Sequence, residues 1–501
     1  MKRTRHRNKD FDGSIAVQEK SKKKRNFLIP SLTSPIFFII ICALVVAGAF
    51  YGTKNISPKS KKIDSINSEF VNLNSVSDSW SCPYLVSNST SVDNQIIYYN
   101  PSDKEANITV HLYNLDGSLL SSKDFKLKSK SSLSELVSTY GENVNASGVI
   151  ESFGSPIVVY RNIVLSDGPE VLPCVKNPKD ILELDNLTTA QYTNTTLILN
   201  NPFSADVVVD VNARLVDNTQ SPFKVLLDDA KAIVIPGHGR VDIDVQKTFG
   251  RYPMINLTVQ TRSGFISGEA IVNKQIANTS NGQTIVTSSL SNYTNDTIYI
   301  FGNSPLTIYA QSNLSKSAAL DIKAYGTDNR TIATQEQSIN VGSTISIADP
   351  GVEFGFHVVE IISNAGKIIT KNGASNDEVL AQNRSSFVSY VGSFTNNETL
   401  SASTVTSLTS KSIVLVARDS DTLGLFNPST KTTKVNVSFI DTNIKQLSFE
   451  IGPNSFFRYV LNEVDLKPGV VVLSIDSTQD LVASSSRIGL SGITNGVYIK
   501  K

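Results

Sequence analysis

The residues of this 501-residue chain best suited to metal binding or covalent chemistry are four histidines and three cysteines. His6 stands in a strongly basic N-terminal stretch, and His111, His238 and His357 are each more than 100 residues from the next. A zinc centre or a His-based triad would need them brought together with thiols or carboxylates, and no His-x-x-His or Cys-x-x-Cys spacing occurs. His111 and His357 fall within alternating runs and read as ordinary strand residues. His238, in Pro236-Gly-His-Gly-Arg240, reads as the most exposed of them, on a Gly-rich turn.

For acyl transfer, no Gly-x-Ser-x-Gly elbow is present, and Ser221-Pro-Phe-Lys224 lacks the Lys-Thr-Gly partner of penicillin-recognising enzymes. No Walker-type or dinucleotide glycine loop occurs either. Glycoside hydrolysis needs two facing carboxylates, which distant strands could supply, but such sites also use aromatic platforms. The single tryptophan, Trp80, lies beside Cys82 and is expected to pack there. Tyr98-Tyr99 could offer a sugar-stacking surface, with one of the two turned inward by alternation. Asp419-Ser-Asp421 and the aspartates at 476–480 could hold calcium in loops, although turn-forming aspartates are the commoner reason for such clusters. Asn-x-Ser/Thr triplets at Asn107, Asn194, Asn292, Asn397 and Asn436 follow from a composition rich in Asn, Ser and Thr. The expectation is no catalytic, cofactor-binding or metal-binding residue, no cofactor and no enzymatic activity.

Residues 1–26 carry ten Lys and Arg against Asp10, Asp12 and Glu19. After a short interrupted stretch, 35–51 is free of charge, at the lower end of the roughly 17 to 25 residues a spanning helix needs. The basic excess before it predicts a cytoplasmic N-terminus and an extracytoplasmic remainder. Ala47-Gly48-Ala49 is the pattern of a signal-peptidase site, so secretion after cleavage near Ala49 is the alternative. Cys42 fills the apolar segment. Cys82 and Cys174 lie on the outer side, where thiols oxidise, and are expected to form a disulfide rather than remain two free thiols. The net charge is +1, and without the basic arm the remainder is mildly acidic, which does not indicate nucleic acid.

From Trp80 onward, short alternating runs separated by Asn, Asp, Gly, Ser and Pro predict an all-β chain. A weak repeat of about a hundred residues, the size of one β-sandwich domain, has two marks. The first is Asn-Pro followed by an alternating strand: Asn100-Pro101 before 108–112, Asn201-Pro202 before 207–211 and Asn427-Pro428 before 435–439, with a degraded copy at Asn303-Ser304-Pro305. The second is a hairpin near the end of each unit: 149–153 with 157–160, 255–259 with 265–271, 357–362 with 367–370, and 470–475 with 481–484. The organisation expected is a basic cytoplasmic arm (1–34), a transmembrane helix (35–52), a stalk (53–79), and about four tandem Ig/fibronectin-like β-sandwich domains. Their expected ranges are 80–178, 179–278, a degenerate 279–376, and 377–501 with extra N-terminal strands; the stretch 387–416, which breaks the spacing, is either those added strands or a further small domain. Units in a row would make an elongated rod or arc.

Trp80-Ser81-Cys82-Pro83, the Asn-Pro strand openings and Pro173-Cys174 together resemble an uncharacterised actinobacterial family of envelope proteins with one N-terminal helix. The resemblance covers most of the chain from Trp80; it implies an exported β protein and brings no catalytic residues. The expected function is that of a non-enzymatic, membrane-anchored, extracytoplasmic cell-envelope protein with a structural or interaction role. Its expected partners are the membrane, through the N-terminal helix, and cell-wall glycan or other envelope proteins. The alternatives are an exported envelope-glycan hydrolase or binding protein, and a single-pass signalling protein using the basic arm.

Overall fold

The structure, a computed structural model, describes residues 78–499 apart from intervals of which 216–229 and 364–386 are the longest. All the described residues belong to one compact unit, within Phe70–Lys501. The basic arm, the apolar segment with its 47–49 motif, nearly all of the stalk, 221–224, 303–305 and 367–370 lie outside the described residues. Among those described, no helix is long and apolar enough to cross a membrane.

The described residues are all-β. First come β1 (Ser79–Val86), β2 (Gln95–Tyr99), β3 (Ala106–Tyr113), β4 (Leu119–Leu127), β5 (Ser132–Leu136), β6 (Asn145–Phe153), β7 (Val158–Leu165) and β8 (Gly168–Pro173). They form two antiparallel sheets, ordered β1-β6-β3-β4 and β5-β2-β7-β8. Next are β9 (Ile181–Leu187), β10 (Thr193–Asn200), β11 (Val207–Leu215), β12 (Ala230–Ile235), β13 (Arg240–Asp244), the short helix α1 (Val245–Phe249), β14 (Ile255–Thr261), β15 (Ser267–Gln275) and β16 (Gly282–Ser288). Their sheets, β9-β14-β11-β12 and β13-β10-β15-β16, repeat the same order.

Then follow β17 (Thr297–Gly302), β18 (Thr307–Ser312), β19 (Ala318–Tyr325), β20 (Thr331–Ile339), β21 (Thr344–Ala348), β22 (His357–Ser363), β23 (Phe387–Thr395), β24 (Thr399–Ser401) and β25 (Thr404–Thr406). They are ordered β25-β17-β22-β19-β20 and β21-β18-β23-β24. Last come β26 (Ser410–Arg418), β27 (Asp421–Asn427), β28 (Thr433–Phe439), β29 (Leu447–Ile451), β30 (Ser455–Val460), β31 (Val470–Arg487), β32 (Ile493–Asn495) and β33 (Val497–Ile499). There the 18-residue β31 serves both layers, pairing with β26 and β28 through its first half and with β27 and β32 through its second.

Each sandwich-like layer pair forms because the strands alternate. Val207, Val209 and Val211 are buried while Asp210 and Asn212 lie on the opposite, half-buried face, so one face of each sheet requires a second sheet over it. The first core joins Ile108, Val110 and Ile150 of one sheet to Ile96, Tyr98 and Val159 of the other.

The Asn-Pro openings have a common physical basis. Asn100, Asn201 and Asn427 are fully buried at the ends of β2, β10 and β27. Asn427 Nδ2 donates to the carbonyls of Lys431, Ile451 and Gly452 at 2.8, 3.2 and 2.8 Å, and its Oδ1 accepts from the Ser429 amide at 3.1 Å. Asn100 makes the same set with Lys104, Leu127, Lys128 and Ser102. Asn201 makes it with Ala205, Ile235, Pro236 and Phe203. One amide thus satisfies a turn and the end of a neighbouring strand together.

Three expectations are corrected. The second repeat mark is not a hairpin: β6 pairs with β1 and β3 while β7 pairs with β2 and β8, so the turn carries the chain from one sheet to the other. The passage from β14 to β15 does the same, and β31 runs unbroken through 477–480. Alternation looks alike on both sides of a hairpin or an arch, and Gly154 and Gly264, at φ of 86° and 79°, suit either. Secondly, the stretch 387–416 is neither a separate small domain nor wholly added to the final unit: β23 pairs with β18 and β25 with β17, and only β26 joins β31.

Thirdly, the successive sandwiches do not form a rod. Ile97, Tyr99, Val158 and Tyr160, on the outer face of the first, share a cluster with Val414, Val416 and Val472 of the last. The Tyr160 hydroxyl donates to the Val414 carbonyl at 3.2 Å, and Arg418 Nη2 donates to Asn162 Oδ1 at 2.8 Å. Phe301 and Phe356 lie against Phe456 in a core common to the third and last sandwiches. On the remaining side, β16 runs beside β24 and β9 beside β23. Among the described residues, contacts therefore run from each group of sheets to the next and from the last back to the first.

Candidate functional site

Cys82 and Cys174 form a disulfide. Both are buried in the first core with Trp80, whose Nε1 donates to the Ile157 carbonyl at 3.1 Å. Closing a loop with a sequence separation of 92 restricts the unfolded chain and is worth about 4 kcal/mol in the chain-entropy account.

The other residues singled out from the sequence serve the fold. His238 lies in a turn, as expected, and is half-buried: its ring stacks on Tyr113 at 4.4 Å, and its Nδ1 lies 3.1 Å from the Pro202 carbonyl. The Gly-rich segment lies against the first sandwich, where the Arg240 amide donates to the Leu115 carbonyl and a Cβ on Gly239 would come within 2.9 Å of that oxygen. Arg240 completes this joint, donating to Asp242 within its own strand and to the Ala146 carbonyl and Asn145 across the boundary, with Tyr84 over its guanidinium. Arg161 and Glu269 form a two-pronged ion pair across the same boundary, each 1% exposed.

Tyr98 and Tyr99 are both buried, the second because the last sandwich covers its sheet, so neither offers a sugar platform. Asp421 accepts from the Arg418 amide and Asp476 from Ser412 Oγ. Among the described residues no three His, Cys, Asp or Glu converge as a metal site.

One open groove, of about 910 Å³, lies at an end of the second sandwich. It is lined by Ala190, Gln191, Tyr192, Thr193 and Asn194 at the entry to β10, by Arg251 and Tyr252 after α1, and by Asn273 of β15. Its walls are fixed by short local bonds. Thr189 Oγ1 donates to the Gly250 carbonyl at 2.9 Å and accepts from the Tyr252 amide at 2.8 Å, while the Thr189 amide donates to the Tyr252 carbonyl at 3.0 Å. Gln246 of α1 accepts from the Thr195 amide and donates to Asn194 Oδ1. Gly250 sits at φ 102°, and a Cβ there would come within 3.1 Å of the Tyr252 ring, so glycine admits the ring.

Tyr192 adopts φ 64°, which a residue with a Cβ rarely does, and leaves its ring 55% exposed. The lining combines two phenol rings, three amide side chains and one guanidinium, with no carboxylate. That set can stack on and hydrogen-bond a polyhydroxylated ligand, whereas two-carboxylate hydrolysis has no agents in this lining. The sequence marks only Asn194, as the start of an Asn-x-Thr triplet; it does not single out the groove as a whole, because the lining residues come from three separated parts of the chain. No family model matches the chain, and neither the curated proteins nor the solved structures give a match.

Proposed function

We propose that this chain is a non-enzymatic, extracytoplasmic cell-envelope protein, held by an N-terminal membrane helix and presenting four sandwich domains of the immunoglobulin and fibronectin kind as an interaction body. The observation that carries the reading is the Cys82–Cys174 disulfide, built into the first hydrophobic core; such bonds persist in oxidising compartments. The charge asymmetry around residues 35–52 supports anchoring with the N-terminus inside. The interaction role is supported by the groove, whose lining suits recognition and lacks the paired acids of a glycosidase.

The test is protease treatment of intact cells carrying an epitope at each end of the chain. The C-terminal epitope should be lost and the N-terminal one protected in a membrane-bound fragment. Protection of both would place the domains inside and sink the proposal. A membrane-bound size matching the full chain distinguishes anchoring from cleavage near Ala49. Crosslinking of the intact chain should recover peptidoglycan, envelope polysaccharide or a membrane protein; recovery of none of these would remove the interaction role.

A further inference from the structure

We propose that the groove between the 190–194 turn and the 251–252 turn is a binding site for an anionic sugar polymer, with Tyr192 as its stacking platform and Arg251 as its anion contact. The proposal rests on the extracytoplasmic reading given above and assigns that body a ligand class.

Three independent observations converge. The first is strain. Tyr192 holds a left-handed backbone, which a residue with a Cβ rarely adopts. Its ring is 55% exposed, so core packing does not explain the conformation. A strained turn that ends in a wet aromatic ring is the arrangement expected when the ring is needed outside. The second is chemistry. Pyranose faces carry C–H groups that pack on phenol rings, and their hydroxyls pair with amides such as those of Gln191, Asn194 and Asn273.

The third is charge. Arg251 is the one ionised group among the lining residues, it is exposed, and its planar fork matches a carboxylate or phosphate. A neutral glycan would leave that fork idle, and a cationic ligand would be repelled. The groove is open, as binding the interior of a long polymer requires, and its walls are held by the Thr189 and Gln246 bonds, so little ordering accompanies binding.

The test is affinity electrophoresis of the full-length chain in detergent, through gels containing polygalacturonate, a phosphorylated dextran or plain dextran. The first two arms separate a carboxylate from a phosphate source of the anion, and the third is neutral. Retardation is expected in at least one anionic gel and is expected to be about tenfold weaker in dextran. Tyr192→Gly should abolish it while leaving the melting temperature unchanged or higher, because glycine relieves the left-handed backbone. Arg251→Gln should weaken binding about tenfold in the anionic gels and leave dextran unchanged.

Absence of retardation in all three gels overturns the proposal, as does equal retardation in dextran. Retardation that survives both substitutions overturns the groove as the site, while the extracytoplasmic interaction reading stands. A lowered melting temperature for Tyr192→Gly would show that the ring holds the fold together and would likewise overturn the assignment.

Discussion

Replacing Asn427 with alanine tests whether one buried amide holds each repeat together. Asn427 is fully buried and its two amide protons are shared among three carbonyls, those of Lys431, Ile451 and Gly452. Two full hydrogen bonds are therefore lost, and each buried carbonyl left without a donor costs about 1–3 kcal/mol. The Ser429 amide and hydroxyl also lose their acceptor, but Ser429 is near the surface and water can replace it. The expected loss is about 3 kcal/mol, against about 0.5–1 kcal/mol for Pro428→Ala, which changes chiefly the freedom of the unfolded chain.

Global denaturation of so many layers need not be two-state, so the assay is native-state hydrogen exchange read on peptides from β28 and β29. Opening of those strands should become easier by the full amount in Asn427→Ala and by the smaller amount in Pro428→Ala. Asn427→Asp sharpens the test. The introduced carboxylate would face three carbonyl oxygens, which raises its folded pKa above the unfolded value of about 3.9. A raised folded pKa gives stability that is present below the unfolded value and is lost as pH rises through the folded one. This variant should therefore approach the parent near pH 4 and fall behind it at pH 7. A loss below about 1 kcal/mol for Asn427→Ala, or no difference from Pro428→Ala, would refute the shared-latch account for Asn100 and Asn201 as well.

Removing Cys82 and Cys174 together, as a double serine variant, should lower the stability of the first sandwich by about 4 kcal/mol; local exchange in β1 and β6 reads it, and an unchanged rate would contradict the loop-entropy estimate. In the buried ion pair, Arg161→Met alone and Glu269→Met alone should each cost about 3–5 kcal/mol, while the double variant recovers most of the loss; additive single losses in a double-mutant cycle would show that no orphaned charge was involved. Burial raises the Tyr98 hydroxyl well above its ordinary value and also raises Tyr140, which donates to Glu135 Oε2 at 2.7 Å. Stability from these groups is present below the unfolded tyrosine value of about 10 and is lost above it. Absorbance at the phenolate band should then show them ionising only together with loss of structure in alkaline titration, and early ionisation would contradict their burial. Asp210 is held below the usual carboxylate range by its bonds from Arg262 and the Ala232 amide. Any advantage over Asp210→Asn should therefore be seen at neutral pH and shrink as pH falls below about 4, in melting temperatures compared across pH.

How much of this was legible varies with the residue. The β texture and the Asn-Pro openings could be read because each depends on local alternation or a short motif, and the disulfide because only two cysteines lie beyond the apolar segment. The contact between the first and last sandwiches was missed although its signal was present. Ile96-Ile-Tyr-Tyr99, the apolar run 413–417 and Val470-Val-Val-Leu473 are continuous rather than alternating, and such runs mark strands buried on both faces. Alternation leaves one of Tyr98 and Tyr99 free for sugar only if a single sheet covers β2, and here both faces are covered. The arch between β6 and β7 was unreadable for another reason: period-2 alternation fixes which face a side chain takes, not which strand accepts its backbone bonds. The groove had no signature, since Tyr192, Arg251 and Asn273 meet only after β10, α1 and β15 are in place.

The contact between the first and last sandwiches sets an order of events during synthesis. Ile97, Tyr99, Val158 and Tyr160 reach their final form early, yet the residues that cover them, Val414, Val416 and Val472, emerge some 250 positions later. Throughout that delay a folded domain displays an apolar patch of the kind that recruits chaperones or sticks to its neighbours. A chain cut short before β26 keeps the patch for good, so completeness of the molecule is signalled by a surface on its first domain.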